Sequence, residues 1–160
     1  EADAAKAMVD QGVDVLTQHT DTTAPMQVAE ERGIHAFGQA SDMIAAGPKA
    51  QLTAIVDTWG NYYVKRVKAL LDGTWKAEQT WDGLKEGVLA MAPYTNMPDD
   101  VKKMAEETEA KIKSGELHPF TGPINKQDGT PWLKAGEKAD DATLLGMNFY
   151  VEGVDDKLPK

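Results

Sequence analysis

The 160-residue chain contains no cysteine. That excludes disulfides, thiolate metal ligands and cysteine nucleophiles, and it leaves the compartment open. No apolar run approaches the ~20 residues that a membrane-spanning helix needs. Positive charge is short: 17 Lys and Arg stand against 26 Asp and Glu, a net charge of −9. Such a chain is poorly suited to nucleic-acid phosphates, so no nucleic-acid partner is expected. The charges are spread along the sequence, with no acidic tail. Neither GxGxxG nor GxxxxGK[ST] occurs, so nucleotide phosphates have no ready cradle. Ser41 lies in "QASDM", not in a GxSxG elbow. His19, His35 and His118 show no HxxxH spacing. No metal and no cofactor are expected.

What is present reads as ordinary globular sequence, 41% hydrophobic and 27% charged. "EADAAKAMVDQG" is the body of a helix closed by Gly12. "VDVL" follows as a short strand. Pro25 and "MQVAEERG" make a second helix that Gly33 ends. "IHAFGQA" (34–40) and "QLTAIV" (51–56) are strands. "NYYVKRVKALLDG" is a helix with Tyr63, Val67, Leu70 and Leu71 on one stripe. "GVLAMAPY" (87–94) is a fourth strand. Residues 98–116 form the clearest helix, with Val101, Met104, Ala105 and Ile112 as its apolar face and Asp99 and Asp100 at its positive end. Then "FTGPINKQDGTPWLK" reads as two short strands around Asp128-Gly129. "DDATLLGM" reads as a short helix and "FYVEGV" as a last strand.

Alternating strands and helices predict an α/β fold with a mainly parallel sheet. Ligands of such sheets bind beyond the carboxyl ends of the strands. Three polar clusters sit there: "TQHTD", "SD" and "DTW". His19 either belongs to turn chemistry, with Thr22 or Thr23 capping the next helix, or faces a cleft, where a neutral imidazole offers one donor and one acceptor to a heterocycle. Ser41 and Asp42 are either a cap or a donor–acceptor pair. Trp59 is either a packed aromatic or a stacking wall for a flat ligand. Trp75, Trp81 and Trp132 have weaker claims.

The run "GVDVLTQHTDTTAPMQVAEERGIHAFGQASDM", with "QLTAIVDTWGNYYVKRVKALLDGTW", "GLKEGVLAMAPY", "KIKSGELHPFTGPI" and "FYVEGV", resembles the basic membrane protein family. These are substrate-binding lipoproteins of ABC transporters for purine nucleosides and bases. The resemblance covers the whole chain. It implies a type I periplasmic binding protein: two Rossmann-like lobes closing on a ligand between them. The chain is then expected to be the C-terminal portion of a longer protein whose missing N-terminal part supplies the other cleft wall and a lipidated cysteine, with 1–80 as an α/β segment of the C-terminal lobe and 81–160 as the crossing strands, long helix and C-terminal hairpin and helix that complete the two lobes.

The departures carry information. Nucleoside binders of that family typically have G-[VI]-D-[ST]-D-Q after the second of these strands, and its first aspartate grips the ribose hydroxyls. Here the segment is Gly38-Gln39-Ala40-Ser41-Asp42-Met43. Ala40 replaces that aspartate, and a methyl cannot accept from ribose. A lysine is often found after the next strand, where this chain has Asp57 and Trp59. A free purine base such as adenine is therefore expected over a nucleoside.

The resemblance implies a binding protein, not an enzyme. The expected binding residues are His19, Ser41, Asp42, Asp57 and Trp59, then Gln18 and Thr20. The expected partners are a purine, a membrane permease of an ABC importer, and the N-terminal part of the same protein. The place is the periplasm, or the outer face of the bacterial cytoplasmic membrane through a lipid anchor. Two rivals stand beside it. One is the effector domain of a purine- or sugar-responsive transcriptional regulator. The other is an enzyme using His19 with Asp21 or Asp42 as acid and base, for which no nucleophile or cofactor motif is found.

Overall fold

A computed structural model describes residues 1–158. Two compact units divide at 113/114: Glu1–Lys113 and Ser114–Lys160. The reading from sequence places its division at 80.

The first unit holds α1 (Ala2–Asp10), β1 (Val15–Leu16), α2 (Ala24–Arg32), β2 (His35–Ala40), β3 (Gln51–Asp57), α3 (Trp59–Leu71), β4 (Leu89–Met91) and most of α4 (Asp99–Ser114). The sheet order is β1-β2-β3-β4. β1, β2 and β3 run parallel, and β4 joins β3 antiparallel. This is the expected α/β architecture with a mainly parallel sheet.

Local chemistry sets the element ends. Gly33 closes α2 at φ 69°, a left-handed conformation that glycine adopts freely. The "VDVL" strand shortens to two residues because the Val13 amide still donates to the Met8 carbonyl of α1. The fourth strand shortens to three because Val88 donates back to Gly83. Pro93 has no N–H to continue the ladder.

The core lies on one face of the sheet. Leu16 and Ala36 pack there with Met26, Val28 and Ala29 of α2, Ala5 of α1, and Met43 and Ala50 of the β2–β3 connection. The opposite face carries Val15, Phe37 and Ile55, all exposed. The α3 stripe of Tyr63, Val67, Leu70 and Leu71 exists as expected, but all four are exposed. Among the described residues, α3 has no substantial packing on another element. The expected apolar face of α4 also needs correction. Val101 and Ala105 line a cavity of about 330 Å3 with His35, Phe37 and Tyr94. Val101 is nonetheless 38% exposed and Met104 61%, because among the described residues α4 has no substantial packing on another element.

The second unit is built on a hairpin of β5 (Ile124–Asn125) and β6 (Pro131–Leu133). Pro131 opens its strand, a position that tolerates a missing N–H. Asp128 accepts from the Thr130 amide at 2.9 Å and ties the turn. Trp132 sits between Phe120 and Phe149, with ring centroids 5.9 and 5.0 Å away. The short helix α5 (Asp141–Leu145) is capped by Asp140, which accepts from the Thr143 amide at 2.8 Å. Those bonds to Thr143 hold the Asp140 carboxyl below the usual carboxylate range. The expected strand "FYVEGV" is a single bridge, Lys126 to Val151. A two-residue β5 offers too little edge for a longer ladder.

Candidate ligand-binding site

Parallel pairing in the order β1-β2-β3 brings three strand ends to one edge of the sheet. Gln18, His19 and Thr20 follow β1. Ser41 and Asp42 follow β2. Asp57 ends β3, and Trp59 opens α3. The edge is therefore polar for the reason expected: it is the carboxyl rim of a parallel sheet.

The residues after β1 form one group. Thr20 Oγ1 donates to Gln18 Oε1 at 2.9 Å. Gln18 Nε2 donates to the Phe37 carbonyl at 3.3 Å and meets Met43 Sδ at 3.5 Å. This amide thus links the ends of β1 and β2. Gln18, His19 and Thr20 line a cavity of about 390 Å3 with Glu1, Met8 and Leu16. The turn reading of the same segment also holds. Thr22 Oγ1 accepts from the Ala24 amide at 3.2 Å and donates to the Glu1 carboxylate. Thr23 takes the N-cap position without a side-chain bond.

The residues after β2 reverse sharply. Ala40 has φ 63°, in the left-handed region where an L side chain is strained, at a general cost of about 1–3 kcal/mol. Such strain clusters at ligand-binding sites. Asp42 Oδ1 accepts from the Ile44 amide at 3.0 Å and from Gln51 Nε2 at 2.7 Å. Gln51 Oε1 accepts from the Met43 amide at 2.9 Å. The reversal is tight at Gly38, where an added Cβ would lie 2.7 Å from the Ala54 Cβ and 3.3 Å from the Ser41 carbonyl oxygen.

The residues after β3 stand apart from that network. Asp57 pairs with Leu89 of β4. Thr58 donates from its amide to the Val88 carbonyl at 2.8 Å and from its hydroxyl to the Gly87 carbonyl. Trp59 stacks on Tyr63 at 6.2 Å and 27°, and meets Tyr62 edge-on at 5.9 Å. It is a half-exposed wall of a three-ring cluster. Trp75 is engaged elsewhere, with the Arg66 guanidinium 5.4 Å from its ring centre.

So Gln18, Thr20 and Asp42 join one hydrogen-bonded system, and His19 shares a cavity with the first two. Asp57 and Trp59 reach the same sheet edge without a bond to it among the described residues. Sequence reasoning missed Gln51, the residue that ties Asp42 and Met43 together. The available signal was a glutamine opening the apolar strand "QLTAIV", where a polar side chain needs a buried partner.

Among the described residues, no helix is long and apolar enough to cross a membrane. The family model for the PnrA-like ABC transporter substrate-binding proteins, Bmp, matches residues 1–119. A purine-binding protein of Brucella abortus (strain 2308) is 74% identical over 160 residues, which is 100% of this chain and 46% of that protein. A protein of Haloferax volcanii, named for glucose binding in an ABC transporter, is 28% identical over 98% of this chain and 38% of its own. The chain thus spans less than half the length of these two curated relatives.

Two solved structures share the fold. A transcriptional activator of the comK gene from Bacillus halodurans has TM-score 0.65 at 18% identity, over 74% of this chain and 43% of its own. An ABC transporter solute-binding protein from Aeropyrum pernix K1 has TM-score 0.58 at 21% identity, over 76% and 44%. Identities this low speak to the fold alone. The family model and the Brucella relative carry the assignment: the chain belongs to the Bmp family of ABC transporter substrate-binding proteins.

Proposed function

We propose that this chain forms one wall of a cleft that binds a free purine base, in the extracytoplasmic binding component of an ABC importer. The observation that carries the reading is the shared sheet edge, which gathers Gln18, His19, Thr20, Ser41, Asp42, Asp57 and Trp59. The 74% identity to a protein named for purine binding points the same way.

The chemistry suits a flat, donor-rich heterocycle. His19 supplies a donor and an acceptor. Asp42 and Asp57 accept from an exocyclic amine or a ring N–H. Ser41 adds a hydroxyl, and Trp59 offers a ring face for stacking. Gln18 and Thr20 shape the rim through their mutual bond and add their remaining valences. Ala40 offers no acceptor to a ribose, so the base is preferred over its nucleoside. Buried donors and acceptors left unpaired by a wrong ligand supply the discrimination.

The other wall comes from the N-terminal part of the same protein. Hinge closure on the ligand presents the closed form to the permease. No reaction step is involved, because binding and release suffice for import. The protein works in the periplasm or lipid-anchored outside the cytoplasmic membrane. The regulator reading draws only on the likeness to the Bacillus activator, at 18% identity, and a net charge of −9 gives it no support.

Titration calorimetry on the protein at its natural length, with adenine, hypoxanthine, adenosine, inosine and glucose, tests the proposal. Adenine is expected to bind at least about ten-fold tighter than adenosine, a difference of ~1.4 kcal/mol. Tighter binding of a nucleoside would overturn the role given to Ala40. Tight glucose binding without purine binding would overturn the purine reading itself.

A further inference from the structure

Gln51 is 1% exposed, one of two buried polar residues of the first unit. Its side chain is satisfied at both ends, with Nε2 2.7 Å from Asp42 Oδ1 and Oε1 2.9 Å from the Met43 amide. Its own backbone is anchored too. The Gln51 amide donates to the Gly47 carbonyl at 2.9 Å. Its carbonyl accepts from Thr95 Oγ1 at 2.6 Å and Asn96 Nδ2 at 2.8 Å. A group held this firmly can set the position of whatever it touches.

It touches the β2 rim. Asp42 Oδ1 already receives two protein donors, the Gln51 amide and the Ile44 N–H. That oxygen is committed to the protein. The second carboxylate oxygen of Asp42 has no hydrogen-bond partner among the described residues. Gly38 keeps the path of the Gln51 side chain open, since a Cβ there would come within 3.1 Å of Gln51 Oε1. Met43, held through its amide, places its sulfur 3.5 Å from Gln18 Nε2. The influence of Gln51 therefore extends across the β2 rim to the β1 rim.

We infer that Gln51 is a positioning residue for ligand recognition. It fixes Asp42 so that one carboxylate oxygen accepts a single N–H from a nitrogen heterocycle. A neutral amide does this without adding a charge beside the carboxylate. The inference rests on the purine-binding reading of this rim and adds the residue that orients its acidic acceptor.

A structural role alone would weaken binding whatever stands at position 42. A positioning role acts through Asp42. The test is a double-mutant cycle on adenine affinity, with Gln51→Met and Asp42→Ala separately and together, in the protein at its natural length. Each single variant is expected to lose about ten-fold in affinity, the scale of one hydrogen bond to a charged group. The double variant is expected to lose about the same ten-fold. A double loss near a hundred-fold, or wild-type affinity in Gln51→Met, would overturn the inference while the purine reading stands. Wild-type protein that binds no purine would overturn the purine reading, and this inference with it. Gln51→Leu, which also removes the amide without adding a charge, serves the same cycle if Gln51→Met does not fold. Amide exchange at Met43 reports in each variant whether the turn itself is intact.

Discussion

The two faces of the sheet in the first unit differ, although the same strands build both. Ala36 is 0% exposed, and its neighbour Phe37 is 36% exposed. Ala54 is 0% exposed, and its neighbour Ile55 is 40% exposed. The covered face uses small residues in the strands and places Met26, Val28 and Ala29 of α2 over them. The other face has larger side chains and less cover. The helix α3 likewise shows an amphipathic stripe whose Leu71 is 79% exposed. Strand alternation decides which residues share a face. It does not decide which face is covered. Apolar size is therefore no guide to burial in this unit.

The contrast can be broken first at Met26. This side chain is fully buried and packs against Gly47, where an added Cβ would meet its sulfur at 2.7 Å. Met26→Ala is expected to lower unfolding free energy by about 2–5 kcal/mol, through lost burial and a cavity. Urea denaturation reads the shift in midpoint. The matching change on the open face, Ile55→Ala, is expected to cost below about 1.5 kcal/mol, because its side chain already meets solvent. Equal costs for the two would show that both faces are covered in solution.

The smallest effect lies in the pocket under α4. Tyr94 donates to Glu109 Oε2 at 3.0 Å. Burial of the phenol, then the bond and charge of Glu109, push its pKa up to about 12. The folded state therefore prefers the protonated phenol. This contribution to stability is full below about pH 10, the ordinary tyrosine value, and fades as pH rises through about 12. Tyrosinate absorbance is expected to show one late-titrating residue that disappears in Tyr94→Phe. A tyrosine set with no late member would mean that α4 does not shield this phenol.

Much of the fold was legible. Gly12, Gly33 and Pro25 punctuate the first two helices because their backbone limits are local. The parallel order followed from strand–helix alternation, and with it the shared polar edge. Other features were not legible. The strand expected at "FYVEGV" depended on finding a long edge to pair with, and β5 supplies only two residues. Met104 was placed on an apolar face by spacing, yet no neighbour covers it. Ala40 gives no sign of its positive φ, since glycine is the residue usually chosen there. Gln51 joined the site only through a fold-back that brings Asp42 and Met43 to it across the β2–β3 connection.

The sequence by itself determined the element order, the parallel sheet, the polar character of its carboxyl rim, and the absence of disulfide and thiolate chemistry. These are local properties: backbone preference, side-chain period and residue inventory. Tertiary structure alone decided which sheet face is covered, that Asp42 Oδ1 is engaged by Gln51 and the Ile44 amide, and that Gln18 links the β1 rim to β2. Each of these depends on which groups meet across 19 or more residues, or across a reversal held by one buried amide. Such meetings are set by packing and mutual satisfaction of buried polar groups, which no short stretch of sequence encodes.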